Sequence, residues 1–456
     1  MTVKISPHRF SGTVRIPASK SHTIRQLLIA SLANGVSEIH YPLDSLDTRS
    51  CVSACRAFGV EITEFRSACF PGYNEYPNPA DEKGEKLTKW EVKGNNAFNK
   101  RDLPPTQGVT RIDVGNSGTT LYLALAIAGL QAELIEFTGD RQIQKRSAAS
   151  LLEALEGLGV QCTSKNGCVP ITIKGPWAGG KVSLPCPTSQ YLSALLIASP
   201  LAPSGTITEI EVPLLNEKPY IEMTLSYLNA HRIPFKAAQD YSYFKIPGGS
   251  SWKTFSCSVP GDFSSAAFPA VAAAVTGGSV TLLGLDPEDT QGDKYFFEML
   301  KQMGCEVLWE DGGESGKKLI IIRNRPLKGG IFDLNKTPDL LPAMAVLAAY
   351  AHGDTALVNV AHARIKETDR IAVMARELAK LGVNCTELPD GLVVHGQGAL
   401  SPNDRNPVVD GCGDHRIVMA FAAAALGNEN PVEITDAENA SVTYPGFLDL
   451  VGGVTR

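Results

Sequence analysis

A polar loop, an apolar helix of about 13 residues and a closing glycine recur six times along this chain, and that recurrence constrains the fold more than any other feature. The six segments run from Ser19-Lys20-Ser21 to Gly35, Asn116-Ser117-Gly118 to Gly129, Thr188-Ser189-Gln190 to Gly205, Gly261-Asp262 to Gly278, Pro338-Asp339 to Gly353, and Asp414-His415-Arg416 to Gly427. Successive closing glycines lie 94, 76, 73, 75 and 74 residues apart. A second helix follows each, ending in an apolar-Gly-apolar turn such as Phe58-Gly59-Val60, Leu158-Gly159-Val160 or Leu381-Gly382-Val383; in the third copy His231-Arg232-Ile233 stands there instead. With β-branched runs such as Ser279-Val280-Thr281-Leu282-Leu283 between the helices, the unit reads as an α/β repeat, three per domain.

A chain of 456 residues exceeds what one core usually serves, which fits two domains. The breaks near Pro17-Ala18-Ser19 and Ser258-Val259-Pro260 place residues 1–18 with 260–456 in domain I and residues 19–259 in domain II. The long first interval marks an insertion at about 65–106, read from Pro71-Gly72-Tyr73 and Pro77-Asn78-Pro79 as surface loop and hairpin. The expected active site is the interdomain cleft, with domain closure over the ligands.

Composition narrows the function classes. Hydrophobic residues make up 43% and charged residues 20%, a globular profile, and a net charge of −6 provides no overall positive field for nucleic acid or an anionic membrane. No apolar run approaches the roughly 20 residues of a membrane span. The ten cysteines are scattered without a CxxC pair, and no His pair has structural zinc spacing, so the expectation is a cytoplasmic protein with reduced thiols, no metal and no cofactor. Any anionic ligand must therefore be caught by a local cluster.

Helix starts supply that cluster. Their unsatisfied N–H groups and partial positive charge ordinarily favour acids and disfavour Lys and Arg. Here Lys20 and Arg25 sit at the first start, Lys145 and Arg146 lie in the loop after Thr138-Gly139-Asp140, Lys366 and Arg370 begin another helix, and Arg416 begins the last. If helical, Lys366 and Arg370 share a face at i and i+4, where like charges repel unless an anion lies between them. Taken singly, each is a solvated cation, a cap or a tight turn; repeated at equivalent points of one unit, they read as a polyanion site.

In order and spacing, the motifs Pro17-Ala18-Ser19-Lys20-Ser21 through Arg25, Gly115-Asn116-Ser117-Gly118-Thr119, Lys145-Arg146, Ser189-Gln190-Tyr191, Lys218-Pro219-Tyr220-Ile221, Pro338-Asp339, Lys366-Glu367-Thr368-Asp369-Arg370 and Asp414-His415-Arg416 closely resemble the EPSP synthase family of enolpyruvyl transferases. The resemblance spans nearly the whole chain. It implies a two-domain inverse α/β barrel of six βαβαββ units and transfer of the enolpyruvyl group of phosphoenolpyruvate to shikimate 3-phosphate, by a monomer. It implies that Lys20 touches both substrates, that Ser21, Arg25, Thr188, Ser189, Gln190, Tyr220, Asp339 and Lys366 hold shikimate 3-phosphate, and that Gly118, Arg146, Gln190, Arg370 and Arg416 hold phosphoenolpyruvate. Asp339 would accept the proton of the attacking hydroxyl, and Glu367, with Lys20, would protonate the methylene.

Four positions depart from the family pattern. Tyr122-Leu123 stands where Arg-Pro is common, Glu217 where a Ser precedes Lys-Pro-Tyr, His362 in place of an Asn, and Val442 in place of a late Lys. A carboxylate at 217 would repel the acceptor's phosphate, and Lys218, Lys145 or Arg364 are the cations available to compensate. Two rival readings carry discriminating features. The sister transferase acting on UDP-N-acetylglucosamine carries a Cys general acid in a loop that has none here between Asp140 and Ser147, and a six-repeat ring around nucleic acid would scatter its cations along helix faces rather than at helix starts.

Overall fold

The six apolar segments become helices with almost no exposed face, as helices apolar all round must. In the computed structural model, which describes residues 1–68, 77–94, 108–313 and 316–455, they are Lys20–Leu32, Gly118–Ala128, Ser189–Ala198, Phe263–Thr276, Leu341–Ala349 and His415–Gly427. Every residue of Gly118–Ala128 and of Leu341–Ala349 is buried. Polar caps set several starts: Ser117 accepts from Thr120 N–H, Asp262 from Ser265 N–H and Asp414 from Arg416 N–H. Each answers a backbone donor that the helix itself cannot satisfy.

Contacts divide the chain into two units. The first comprises Met1–Ser19, Ala68–Lys86 and Pro260–Arg456; the second comprises Lys20–Ser67 and Leu87–Val259. In the first unit Phe263–Thr276, Leu341–Ala349 and His415–Gly427 pack on one another within one continuous apolar cluster. In the second, Gly118–Ala128 packs against both Lys20–Leu32 and Ser189–Ala198.

Around these helices lie six four-stranded sheets among the described residues, all of one build: an edge pair that is parallel, then a neighbour that is antiparallel. One sheet of the first unit pairs Val3–Ile5 with both Val432–Ile434 and Val454–Thr455, so the two ends of the chain are tied into one sheet. Gly12–Arg15 joins another as the parallel neighbour of Ser279–Leu283, whose Val280 and Leu282 point inward as period two requires. The turn before that strand is built by two glycines with different duties. Gly277, at φ +66°, is the left-handed cap of Phe263–Thr276, while a side chain on Gly278 would run into the Phe10 carbonyl.

The segment at about 65–106, expected as an insertion of surface loop and hairpin, also supplies an inner strand of a sheet. Lys86–Gly94 is a strand between Gly35–His40 and Glu61–Ser67, with Trp90 fully buried. Its three lysines, Lys86, Lys89 and Lys93, disguise a strand whose buried residues are Leu87, Trp90 and Val92, with the alternation broken between Leu87 and Trp90. Pro71-Gly72-Tyr73 and residues 95–107 lie outside the described residues.

Candidate active site

In the first unit a carboxylate and three cations converge. Asp339 sits in the single turn Pro338–Leu340 ahead of Leu341–Ala349, a position that projects its side chain from the buried helix start. Arg370 Nη1 donates to Asp339 Oδ1 at 2.8 Å, Arg416 Nη2 lies 2.9 Å from Asp339 Oδ2, and Lys366 Nζ lies 3.8 Å from Oδ1. Arg370 is itself completely buried. It also donates from Nη2 to Glu367 Oε2 at 2.6 Å, and grips Asp414 from Nε at 2.7 Å and from Nη2 at 3.2 Å.

The electrostatics follow from that geometry. Burial alone would raise the Asp339 pKa, but Arg416, Lys366 and Arg370 outweigh burial and the opposing Glu367 and hold it well below the usual carboxylate range. Burial disfavours the Arg370 cation, yet Asp414, Glu367 and Asp339 reverse the balance and raise its pKa. At neutral pH Asp339 is thereby held as the carboxylate and Arg370 as the cation.

The expected helical pairing of Lys366 and Arg370 is not what the chain adopts. Asp369 caps a helix that begins at Arg370, accepting from Ala372 N–H at 3.0 Å, while Lys366 lies outside it, after the turn Ala361–Ile365. The two cations still meet, across the Asp339 carboxylate, so the anion between them belongs to the protein.

The second unit carries the other group. Lys20, the first residue of Lys20–Leu32, is paired with Asp47 at 3.0 Å. One turn further, Arg25 is 1% exposed, and its hydrogen bonds run to Thr224 Oγ1 at 3.1 Å, Ser193 Oγ at 3.3 Å and the Ser21 carbonyl at 3.1 Å. None of those partners is a carboxylate. The guanidinium carbon stands 6.0 Å from the Tyr220 ring centroid. Burial lowers the Arg25 pKa, with Tyr227, Tyr220 and Glu217 pulling the other way.

Thr188 caps Ser189–Ala198, accepting from Gln190 N–H at 3.5 Å. Glu217 Oε2 faces the same helix start and accepts from Thr188 Oγ1 at 3.2 Å, Ser189 N–H at 3.0 Å and Ser189 Oγ at 2.7 Å. Gln190 Oε1 is buried without a partner.

At the start of Gly118–Ala128 the absence of a side chain matters. A Cβ on Gly118 would stand 2.7 Å from Arg146 Nη1. Arg146 closes the turn Ile143–Lys145, and Tyr122, one helical turn after Gly118, packs edge-on against Tyr191 at 5.0 Å between ring centroids.

The structure thus brings Asp339, Lys366, Glu367, Arg370 and Arg416 together in the first unit. In the second it links Ser21, Arg25 and Tyr220, joins Thr188 and Ser189 through Glu217, and sets Gly118 against Arg146. It removes one suggested compensating cation: Arg364 is spent on Asp369 at 2.7 Å, Glu387 at 2.8 Å and the carbonyls of Leu388 and Pro389. Lys218 points to the Asp240 carbonyl at 3.3 Å, and Lys145 is exposed. His362 is tied to the Asn335 carbonyl at 3.2 Å, and Val442 is buried.

Asp414 does more than cap its helix; it is also the main partner of Arg370. The signal was an acid directly before His415-Arg416 at a helix start. Asp47, Ser193 and Thr224 had no such signal, because their cations come from another helix. Among the described residues no group of three His, Cys, Asp or Glu is arranged to hold a metal ion.

Comparison with known proteins agrees over the full length. Residues 5–451 match the family model of EPSP synthase (3-phosphoshikimate 1-carboxyvinyltransferase). The chain is 42% identical over 453 residues to a 3-phosphoshikimate 1-carboxyvinyltransferase of Ruminiclostridium cellulolyticum, covering 99% of this chain and 98% of that protein. A protein of the same name from Acetivibrio thermocellus is also 42% identical, covering 99% and 97%. Among solved structures, an EPSP synthase from Acinetobacter baumannii superposes with a TM-score of 0.76 at 27% identity, covering all of both chains, which carries the two-domain inverse α/β fold.

Proposed function

The chain belongs to the EPSP synthase family, transferases of aromatic biosynthesis, and from that premise we propose that it moves the enolpyruvyl group of phosphoenolpyruvate onto the 5-hydroxyl of shikimate 3-phosphate. The products are 5-enolpyruvylshikimate 3-phosphate and phosphate. The observation that carries the reading is the Asp339, Glu367 and Arg370 arrangement: one arginine holds two carboxylates, a base and an acid, in fixed relation, with Lys366 and Arg416 as further cations.

In the reading, Arg25, Ser21, Tyr220, Lys366 and the Thr188-Ser189-Gln190 segment bind the acceptor, while Lys20, Gly118, Arg146, Gln190, Arg370 and Arg416 bind phosphoenolpyruvate. Asp339 takes the proton of the attacking hydroxyl as its oxygen bonds to C2 of phosphoenolpyruvate. Glu367, aided by Lys20, protonates C3, giving a tetrahedral intermediate. A methyl proton then returns to the Glu367 carboxylate as the C2–O bond to phosphate breaks and the double bond reforms, and the leaving phosphate carries off the proton held by Asp339.

Asp339 held far below its ordinary pKa is a weak base. Incoming substrate anions compete for Arg416, Lys366 and Arg370, and each cation drawn toward substrate lets the Asp339 pKa rise toward a useful value. The preparation of the base is therefore tied to occupancy of the site. The reading has the chain act as a cytoplasmic monomer; no described helix is long and apolar enough to cross a membrane.

Turnover in deuterated water tests the addition and elimination steps. Deuterium in the vinyl group of the product, read by mass spectrometry, is the expected result, because C3 passes through a methyl group. A product free of deuterium there would rule the sequence of steps out.

A further inference from the structure

Glu217 gives the start of Ser189–Ala198 an anion of the protein's own. Its Oε2 accepts from Thr188 Oγ1 at 3.2 Å, Ser189 N–H at 3.0 Å and Ser189 Oγ at 2.7 Å. Those donors are the ones assigned above to the acceptor. Glu217 is 2% exposed, and its charge acts on the Arg25 guanidinium, whose own hydrogen bonds end on hydroxyls and a backbone carbonyl. A carboxylate at a helix start meets the same unsatisfied N–H and the same partial charge that a phosphate would. Being tethered, it competes at the effective concentration of an intramolecular group.

We infer that Glu217 is an internal stand-in for the acceptor's phosphate, seated on the Thr188 and Ser189 donors while the acceptor is absent and displaced when it binds, so that Glu217 sets the acceptor's affinity. The inference rests on the acceptor assigned under the proposed function.

The backbone favours exchange by side-chain rotation. Glu217 is the N-cap of Lys218–Ala230 in the left-handed region, at φ 59° and ψ 41°, with Pro219 two residues on, so its Cα is held and its χ angles are what can change. If the carboxylate stayed, an arriving phosphate would meet a like charge in a buried place; if it leaves, three hydrogen bonds are given up. Both routes weaken acceptor binding, and removing the carboxylate removes both. Phosphoenolpyruvate is assigned mainly other donors, among them Arg146, Arg370 and Arg416, and its KM is the internal control.

The test is isothermal titration of shikimate 3-phosphate into full-length wild type, Glu217→Ser and Glu217→Gln, with both KM values and the Tm of each. In Glu217→Ser the acceptor Kd should fall by about tenfold or more, which is about 1.4 kcal/mol. In Glu217→Gln it should fall by less, since the amide loses the charge but still fills the donors. The phosphoenolpyruvate KM should stay within about twofold of wild type. An acceptor Kd that is unchanged or weaker in the folded variants overturns the inference.

Should loss of the buried acceptor at 217 prevent either variant from folding, wild type co-crystallised with inorganic phosphate decides. Phosphate on Ser189 with Glu217 Oε2 beyond about 3.5 Å from Ser189 Oγ supports displacement, and a retained contact overturns it. Wild type that turns over neither substrate counts against the proposed function itself, whereas normal turnover with no tightening in the variants counts against Glu217 alone.

Discussion

Arg25 is held in the interior by hydroxyls and a carbonyl rather than by a carboxylate, and that imbalance makes its role testable. Burying a cation without a close opposite charge is costly, so the residue is better explained by what it binds than by what it stabilises. Arg25→Met should leave Tm equal or higher while raising the acceptor KM roughly 10- to 100-fold, the worth of charge-assisted hydrogen bonds of about 1.5–3 kcal/mol. A fall in Tm with an unchanged acceptor KM would make Arg25 structural. Asp339 has the opposite character, being stabilised by its neighbours. Asp339→Asn should lower kcat by about 10²- to 10⁴-fold. Because its folded pKa is depressed, its contribution to stability is present above the unfolded value near about 4 and is lost as pH falls toward the folded one. Urea melts of wild type and Asp339→Asn should therefore differ at pH 7 and converge in acid; a gap that widens in acid would contradict the charge network.

The buried helices were readable because two independent signals coincided: a polar cap and an unbroken apolar run, as in Ser117 before Gly118–Ala128. Lys86–Gly94 was not, since its alternation is broken between Leu87 and Trp90 and interspersed with lysines, and the proline-rich segment before it suggested a surface loop and hairpin. The expected joint helix of Lys366 and Arg370 failed for a local reason, the Asp369 cap that starts the helix later. Partners such as Asp47 and Thr224 escaped because cross-element contacts leave no spacing rule behind. Position 118 is an element start whose proposed role can be tested. In Gly118→Ala the new methyl would meet the end of a flexible Arg146 side chain rather than backbone, so the helix should survive while the guanidinium shifts. The expected outcome is a phosphoenolpyruvate KM raised several-fold, with acceptor KM and Tm within error of wild type. Equal changes in both KM values would contradict the assignment of Gly118 and Arg146 to one substrate.

For the chain as a whole, the recurrence of one apolar motif is enough to point to an α/β architecture, and the pairing of Val3–Ile5 with Val432–Ile434 and Val454–Thr455 in one sheet shows why the first strands travel with the C-terminal half. What recurrence could not reveal is how charge is compensated inside each unit: carboxylates of the protein, Asp339 in the first and Glu217 in the second, lie where substrate anions are proposed to bind. The central claim is that these two sets of residues serve one transfer between two anionic substrates. The direct measurement is phosphate release from phosphoenolpyruvate by the purified full-length protein, with shikimate 3-phosphate or UDP-N-acetylglucosamine as the acceptor. Release only with shikimate 3-phosphate, one phosphate per enolpyruvyl group transferred, is the predicted result; release with UDP-N-acetylglucosamine alone, or with neither, would contradict it.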